Sequence, residues 1–251
     1  MSTLITYKVV EDRDGKLEAA ARMACNFWNH YVEPETSIVI QVDLFWSPFR
    51  YIARSYEPEL KGAVTYGGIR FNSVYVRKYT GLQLAITMVH ELGHTLGFGW
   101  ENWMGLFDST TGRFTEAAIK RLPSLADMYV ETDGGAATQY MHWDEKKHGS
   151  ELMTGFENKS EYVLPVTIDI AELLGHKLLR RLEAKTAIKT LLTQMEVEPF
   201  TRKDEARRIT AADFKPSHVL ERIFEYLPGT SGPRQRPGRP KAGALRKGSR
   251  P

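Results

Sequence analysis

Apolar positions recur along this chain with two periods, and the periods mark its elements. Between residues 14 and 31, Leu17, Ala20, Ala21, Ala24, Phe27, Trp28 and Tyr31 fall at helical spacing. They predict an amphipathic helix closed by Pro34. Ser37 to Trp46 is rich in Ile, Val, Leu and Phe with Gln41 and Asp43 interspersed, and reads as a strand. Residues 63–76 (AVTYGGIRFNSVYV) read as one or two further strands broken at Gly67-Gly68. Thr80 and Gln83 have capping-box spacing, so a helix is expected to start at Thr80. Its apolar run from Leu82 continues through His90 and His94 and stops at Gly97 and Gly99, residues that tolerate a left-handed turn. A short helix is expected around Thr115–Leu122, a helical stretch from Asp169 to Met195, and another from Ser217 to Leu227. No internal repeat is present.

Composition bounds the class. A chain of 251 residues with 42% hydrophobic content can bury one sizeable core. No apolar run is long enough to span a bilayer. The first ten residues meet Glu11, Asp12 and Arg13 without the pattern of a signal peptide. The single cysteine, Cys25, allows no intrachain disulfide and falls on the apolar side of the first helix, where a core role is expected. These features predict a soluble protein of a reducing, cytoplasmic compartment. The net charge of +3 is uneven. Residues 229–251 hold Arg234, Arg236, Arg239, Lys241, Arg246, Lys247 and Arg250 and no acid. Setting those seven aside leaves 27 basic residues against 31 acidic, so the body is net negative. The Gly-, Pro- and Arg-rich tail is expected to be disordered. Within it, residues 236–241 (RPGRPK) are weakly similar to the core of AT-hook peptides, which makes nucleic acid a possible partner.

The chemistry is concentrated at residues 90–94, His-Glu-Leu-Gly-His. Residues four apart share a helix face, so both imidazoles can point at one ion, and Zn²⁺ is the expected cofactor. Glu91 falls beside that ion, where it can act as general base toward a metal-bound water. A catalytic zinc takes three protein ligands and keeps an open position. In compact motifs of this kind the third ligand is often a His six residues beyond the second, but here that residue is Trp100. The third ligand must come from elsewhere.

The stretch HELGHTLGF (90–98) resembles the start of the leishmanolysin family site, within the metzincin clan of zinc peptidases. Residues 131–155 (ETDGGAATQYMHWDEKKHGSELMTG) are similar to that family's progression of Gly-Gly, His-Trp and Glu-Leu-Met, and residues 160–176 resemble its following link and helix. The resemblance implies His142 as third ligand, Met153 as the methionine beneath the metal, and an insert of 47 residues between His94 and His142. It also implies an α+β, zincin-like catalytic domain (1–177) with a mixed sheet and an active-site helix. A helical C-terminal extension (178–228) and the basic tail (229–251) would follow. The family is cysteine-rich and secreted or membrane-anchored, so this chain reads as a short, cysteine-poor relative.

Alternatives stay open at several positions. His148, Asp108 and Asp144 compete with His142 as third ligand. Glu151 either fixes the methionine turn by hydrogen bonding or is a surface carboxylate. His30, His176 and His218 carry no ligand spacing and read as structural. Trp100, Trp103 and Phe107 pack the insert or line the cleft, with packing favoured. Residues 63–72 are expected to flank the cleft as a sheet edge that pairs with an extended peptide. The expected function is a metalloendopeptidase acting on protein or peptide. The alternative is a nucleic-acid- or partner-binding protein whose zinc is structural or inactive, and a fourth protein ligand would distinguish the two.

Overall fold

The computed structural model describes residues 3–12, 14–135 and 138–197. Most of the expected extension (198–228), including the 217–227 helix and His218, lies outside the described residues, as does the basic tail with its 236–241 motif. In chain order the first half comprises β1 (Ile5–Val9), α1 (Lys16–Tyr31), β2 (Val32–Glu33), β3 (Ser37–Phe45), β4 (Ala53–Lys61), β5 (Val64–Asn72), α2 (Ser73–Lys78) and α3 (Gly81–Thr95). The second half is mostly irregular. Its short elements are α4 (Glu101–Met104), α5 (Glu116–Arg121), α6 (Glu145–His148), β6 (Tyr162–Val163), α7 (Pro165–Asp169), β7 (Lys177–Leu178), β8 (Thr186–Ala187) and α8 (Ile188–Val197).

The protein is mixed α/β, compatible with the expected α+β class. Four strands form one mixed sheet in the order β1-β3-β5-β4. β1, β3 and β5 run parallel, and β4 returns antiparallel to β5 at the edge. Alternate residues of the central strands, Ile38, Ile40 and Val42 with Ile69 and Phe71, point into the core. α1 and α3 pack together and cover that face. Asn29 of α1 ties down β1 by a reciprocal pair, donating to the Ile5 carbonyl and accepting from the Ile5 amide, both at 2.8 Å. Cys25 is buried in this core, as expected.

Several expectations are corrected here. Gly67-Gly68 do not break a strand: they register with Ile40 and Gln41 inside a continuous β5. A Cβ on Gly67 would lie 2.8 Å from Thr95 Cγ2, so this glycine lets α3 approach the sheet closely. Residues 73–76 are helical, because the Asn72 side chain accepts the Val74 amide and starts α2. β5 is not the sheet edge, since it pairs on both sides. That edge is β4, whose polar residues and Pro58 hid it, with a register shift between Tyr56 and Glu59.

The helical stretch expected at 169–195 is not continuous. Gly175 adopts a φ of 101°, the chain pairs Leu178 with Val32, and only α8 is a full helix. The boundary at 177 therefore falls inside β7. The described part of the supposed extension belongs to the main body, with Leu179 donating to the Tyr31 carbonyl at 2.8 Å and Ile188, Leu191 and Leu192 buried. Among the described residues, no helix is long and apolar enough to cross a membrane.

Candidate metal centre

α3 starts as the sequence predicts, with a reciprocal capping box between Thr80 and Gln83. Its end does more than stop the helix. The Gly97 amide donates to the His94 carbonyl and the Phe98 amide to the Gly93 carbonyl, closing a Schellman turn with Gly97 at φ 113°. That turn folds the Phe98 carbonyl back to within 3.0 Å of His94 Nδ1. Trp100, standing where a compact motif would carry its third histidine, donates Nε1 to the His94 carbonyl at 2.8 Å.

Three histidines converge. The Nε2 atoms of His90 and His94 are 3.1 Å apart, those of His94 and His142 3.2 Å, and those of His142 and His90 3.3 Å. Tetrahedral coordination with Zn–N bonds of about 2.0–2.1 Å would set donors about 3.3 Å apart. The observed triangle fits an ion of that size. Each ring is oriented from behind: His90 Nδ1 lies 2.7 Å from the Leu152 carbonyl, His94 Nδ1 3.0 Å from Phe98, and His142 Nδ1 3.0 Å from Thr138. A carbonyl can only accept, so each Nδ1 carries the proton and each Nε2 presents a lone pair. Three lone pairs facing one another repel unless a cation lies between them. Burial holds all three imidazoles below the ordinary histidine range, His142 to about 3, and the neighbouring histidines push His94 and His142 the same way. His94 and His142 are buried, and His90 is half-buried. Among the described residues, no fourth His, Cys, Asp or Glu joins this cluster.

The competing ligands are engaged elsewhere. His148 Nε2 accepts the Tyr129 amide at 3.1 Å, Asp144 caps α6 through the Lys147 amide, and Asp108 accepts the Thr110 and Thr111 amides. His176 bonds the Leu96 carbonyl at the end of α3, and His30 meets Arg180. Trp103 and Phe107 are buried in an aromatic cluster with Phe98 and Phe114, and Trp100 is half-buried, so the insert is packed from within.

Met153 lies against the ligand-bearing helix. A Cβ on Gly93 would stand 2.7 Å from Met153 Sδ and 2.8 Å from its Cε. The turn that carries Met153 also holds the histidines through its backbone. The Leu152 carbonyl orients His90, and the Met153 carbonyl accepts the amide of Trp143, next to His142. Glu151 pins the turn and is no surface carboxylate. It is 1% exposed and accepts from the Met153 amide at 2.6 Å, the Leu164 amide at 3.2 Å and the Thr167 hydroxyl at 2.6 Å. Burial pushes its carboxyl up to about 7 against the pull of these donors. Gly93→Ala is expected to destabilise the fold by about 1–3 kcal/mol through overpacking against Met153. Denaturant unfolding checks this, and an unchanged midpoint would mean the thioether moves aside without cost.

Glu91 is buried beside the triad. Burial pushes its carboxyl up to about 7, opposed by its bond from Ser55. The Ser55 hydroxyl bridges the Glu91 carboxylate and the Glu91 carbonyl, the latter at 2.8 Å. Ser55 lies on β4, a strand the sequence hid, and no motif pointed to it. Comparison with protein-family models finds none that matches this chain, and no curated protein matches it either.

Proposed function

We propose that this chain is a zinc-dependent metalloendopeptidase of metzincin type, similar to the leishmanolysin family, with His90, His94 and His142 as ligands and Glu91 as general base. The observation that carries the reading is a three-donor set of oriented, neutral imidazoles with a buried carboxylate one residue from the first. A structural zinc is usually closed by four protein ligands, so a set of three among the described residues favours catalysis over the structural-site alternative. The close approach of Met153 to Gly93, between the two histidines of α3 in sequence, supports the metzincin reading.

His90, His94 and His142 would hold the zinc, which would lower the pKa of water toward about 7 and polarise a carbonyl. Glu91 takes the proton from the attacking water and returns it to the leaving amine nitrogen. A buried carboxyl with its pKa raised by burial suits both halves of that exchange. Among the described residues β4 is the edge strand of the sheet next to α3, and an extended peptide could add to it as a further strand, the role expected from the sequence for 63–72.

The test is hydrolysis of denatured casein by the zinc-loaded protein, with mass spectrometry of the products. Internal cleavage that a chelator stops and zinc restores is the expected result. One bound zinc with no cleavage of casein or a broad peptide set would overturn the proposal. Ser55→Ala is expected to lower kcat roughly tenfold, the loss of one hydrogen bond to a charged group, with KM and zinc content nearly unchanged. Ser55→Thr should restore most of the rate, and equal rates in all three proteins would remove Ser55 from the mechanism.

A further inference from the structure

The loop between β3 and β4 carries side chains that the core does not use. Trp46 is 71% exposed, Phe49 68% and Tyr51 52%. Solvent-facing aromatics on a soft loop would be expected to fold down onto the surface, but this loop is held. Asn72, fully buried at the end of β5, donates Nδ2 to the carbonyls of Ser47 and Tyr51, both at 3.0 Å, and its amide donates to the Ile52 carbonyl at 2.8 Å. The Ser47 hydroxyl accepts the Phe49 amide at 3.2 Å. Ser47 and Tyr51 are thus clamped by one interior side chain, with Phe49 and Arg50 between them and Trp46 just before the first.

The charge on this segment has one sign. Residues 44–56 include Arg50 and Arg54 and no acid, within a body that is net negative once the tail is set aside. Arg54 is held with its guanidinium 4.3 Å from the centre of the Phe45 ring. Of the acids around it, Asp43 faces Arg70, Glu91 is bonded to Ser55, and Glu57 lies just past the segment, on β4 and away from the exposed aromatics in sequence.

We propose that this loop is a membrane-docking finger for an anionic phospholipid surface, with Trp46 and Phe49 entering the headgroup–acyl boundary and Arg50 meeting lipid phosphates. A peptide partner would need a complementary groove around each ring, and rings more than half free of their own protein sit in none. A lipid interface needs only projecting aromatics with cationic neighbours, the pairing seen here. The inference is independent of the proposed activity.

Sedimentation of the full-length protein with phosphatidylcholine–phosphatidylglycerol vesicles tests it, together with tryptophan quenching by brominated acyl chains. Trp28, Trp103 and Trp143 are fully buried and Trp100 is half-buried with its Nε1 bonded to the His94 carbonyl, so quenching reports mainly on Trp46, and the Trp46→Phe variant isolates its share. Binding with quenching is expected, and Trp46→Phe should abolish most of the quenching while binding persists. Trp46→Ser with Phe49→Ser should weaken partition at least about tenfold, with thermal unfolding unchanged because both positions are exposed. Undiminished binding by that double variant, or binding without quenching in the wild type, would assign the attachment to the basic residues of 229–251 and overturn the proposal. No binding even at low salt would overturn it too, and would turn the loop toward a protein partner.

Discussion

Replacing Glu91 by glutamine is expected to lower kcat on a peptide substrate by about 10²–10⁴-fold, the usual worth of a positioned general base. Glutamine keeps the size of the side chain and can still accept from Ser55, so the local packing and the neighbouring histidines stay in place. It cannot take a proton. Zinc content should therefore match the wild type, and KM should move little. Elemental analysis beside steady-state kinetics separates the outcomes. Equal activity would remove Glu91 from the chemistry, whereas lost zinc would mean the substitution disturbed the triad instead. The wild-type pH profile bears on the same group. Burial raises the Glu91 carboxyl to about 7 in the metal-free protein, and a nearby dication would draw it back down. Only the ionised carboxylate accepts a proton, so kcat/KM should rise with pH along a limb centred at or below neutrality.

His142→Ala should remove the metal. Disturbing a hydrogen-bond partner behind a ligand already weakens metal binding by about 10–100-fold, and loss of the ligand itself should exceed that. After dialysis the wild type should retain one equivalent of zinc and the variant almost none. A second readout does not depend on activity. Zinc added to the metal-stripped wild type should raise its unfolding temperature, since a ligand of the native state stabilises it by about 2.7 kcal/mol at a hundred times Kd. The variant should show no such rise. His148→Ala is the control, because His148 is occupied with the Tyr129 amide and its loss should leave zinc content untouched. Zinc retained by the His142 variant and lost by the His148 variant would reverse the assignment.

How far the sequence foretold this arrangement depends on which kind of signal each part leaves. α1 and α3 were legible from apolar spacing and a capping box, and the stop at Gly97 from its glycine. Local periodicity and local caps write themselves into short windows. His142 lies 48 residues beyond His94, and no spacing rule joins them. Only the resemblance of residues 131–155 implied it, and the structure brings its Nε2 to within 3.2 Å of His94. β4 was invisible because an edge strand with one solvated face has little reason to be apolar, and Ser55 disappeared with it. The false helix at 169–195 has the opposite cause. Its apolar residues are real core contacts, but turns and two-residue strand pairings present them to the core, and periodicity cannot tell these from helical turns. Asn72 at the end of β5 was read as part of a strand, although Asn before a short apolar run is also a helix start.

The three carbonyls behind the histidines come from Leu152, Phe98 and Thr138, one from each of three separate turns. None of these belongs to the metal itself, so the spacing of the triangle is set by the fold and is not dictated by whichever ion arrives. Such a site, if it takes an ion, would favour one that fits the triangle. Copper(II) binds nitrogen donors more tightly than zinc in open competition, but it prefers a square plane, in which two of any three donors face each other about 4 Å apart. No pair in this triangle exceeds 3.3 Å. To accept copper on its own terms the protein would have to pull one ring off its carbonyl and open the turn behind it. If an ion binds there, the cost of reshaping the site would fall on the turns behind the rings, and a variant with a loosened turn should show a changed ratio of copper to zinc affinity.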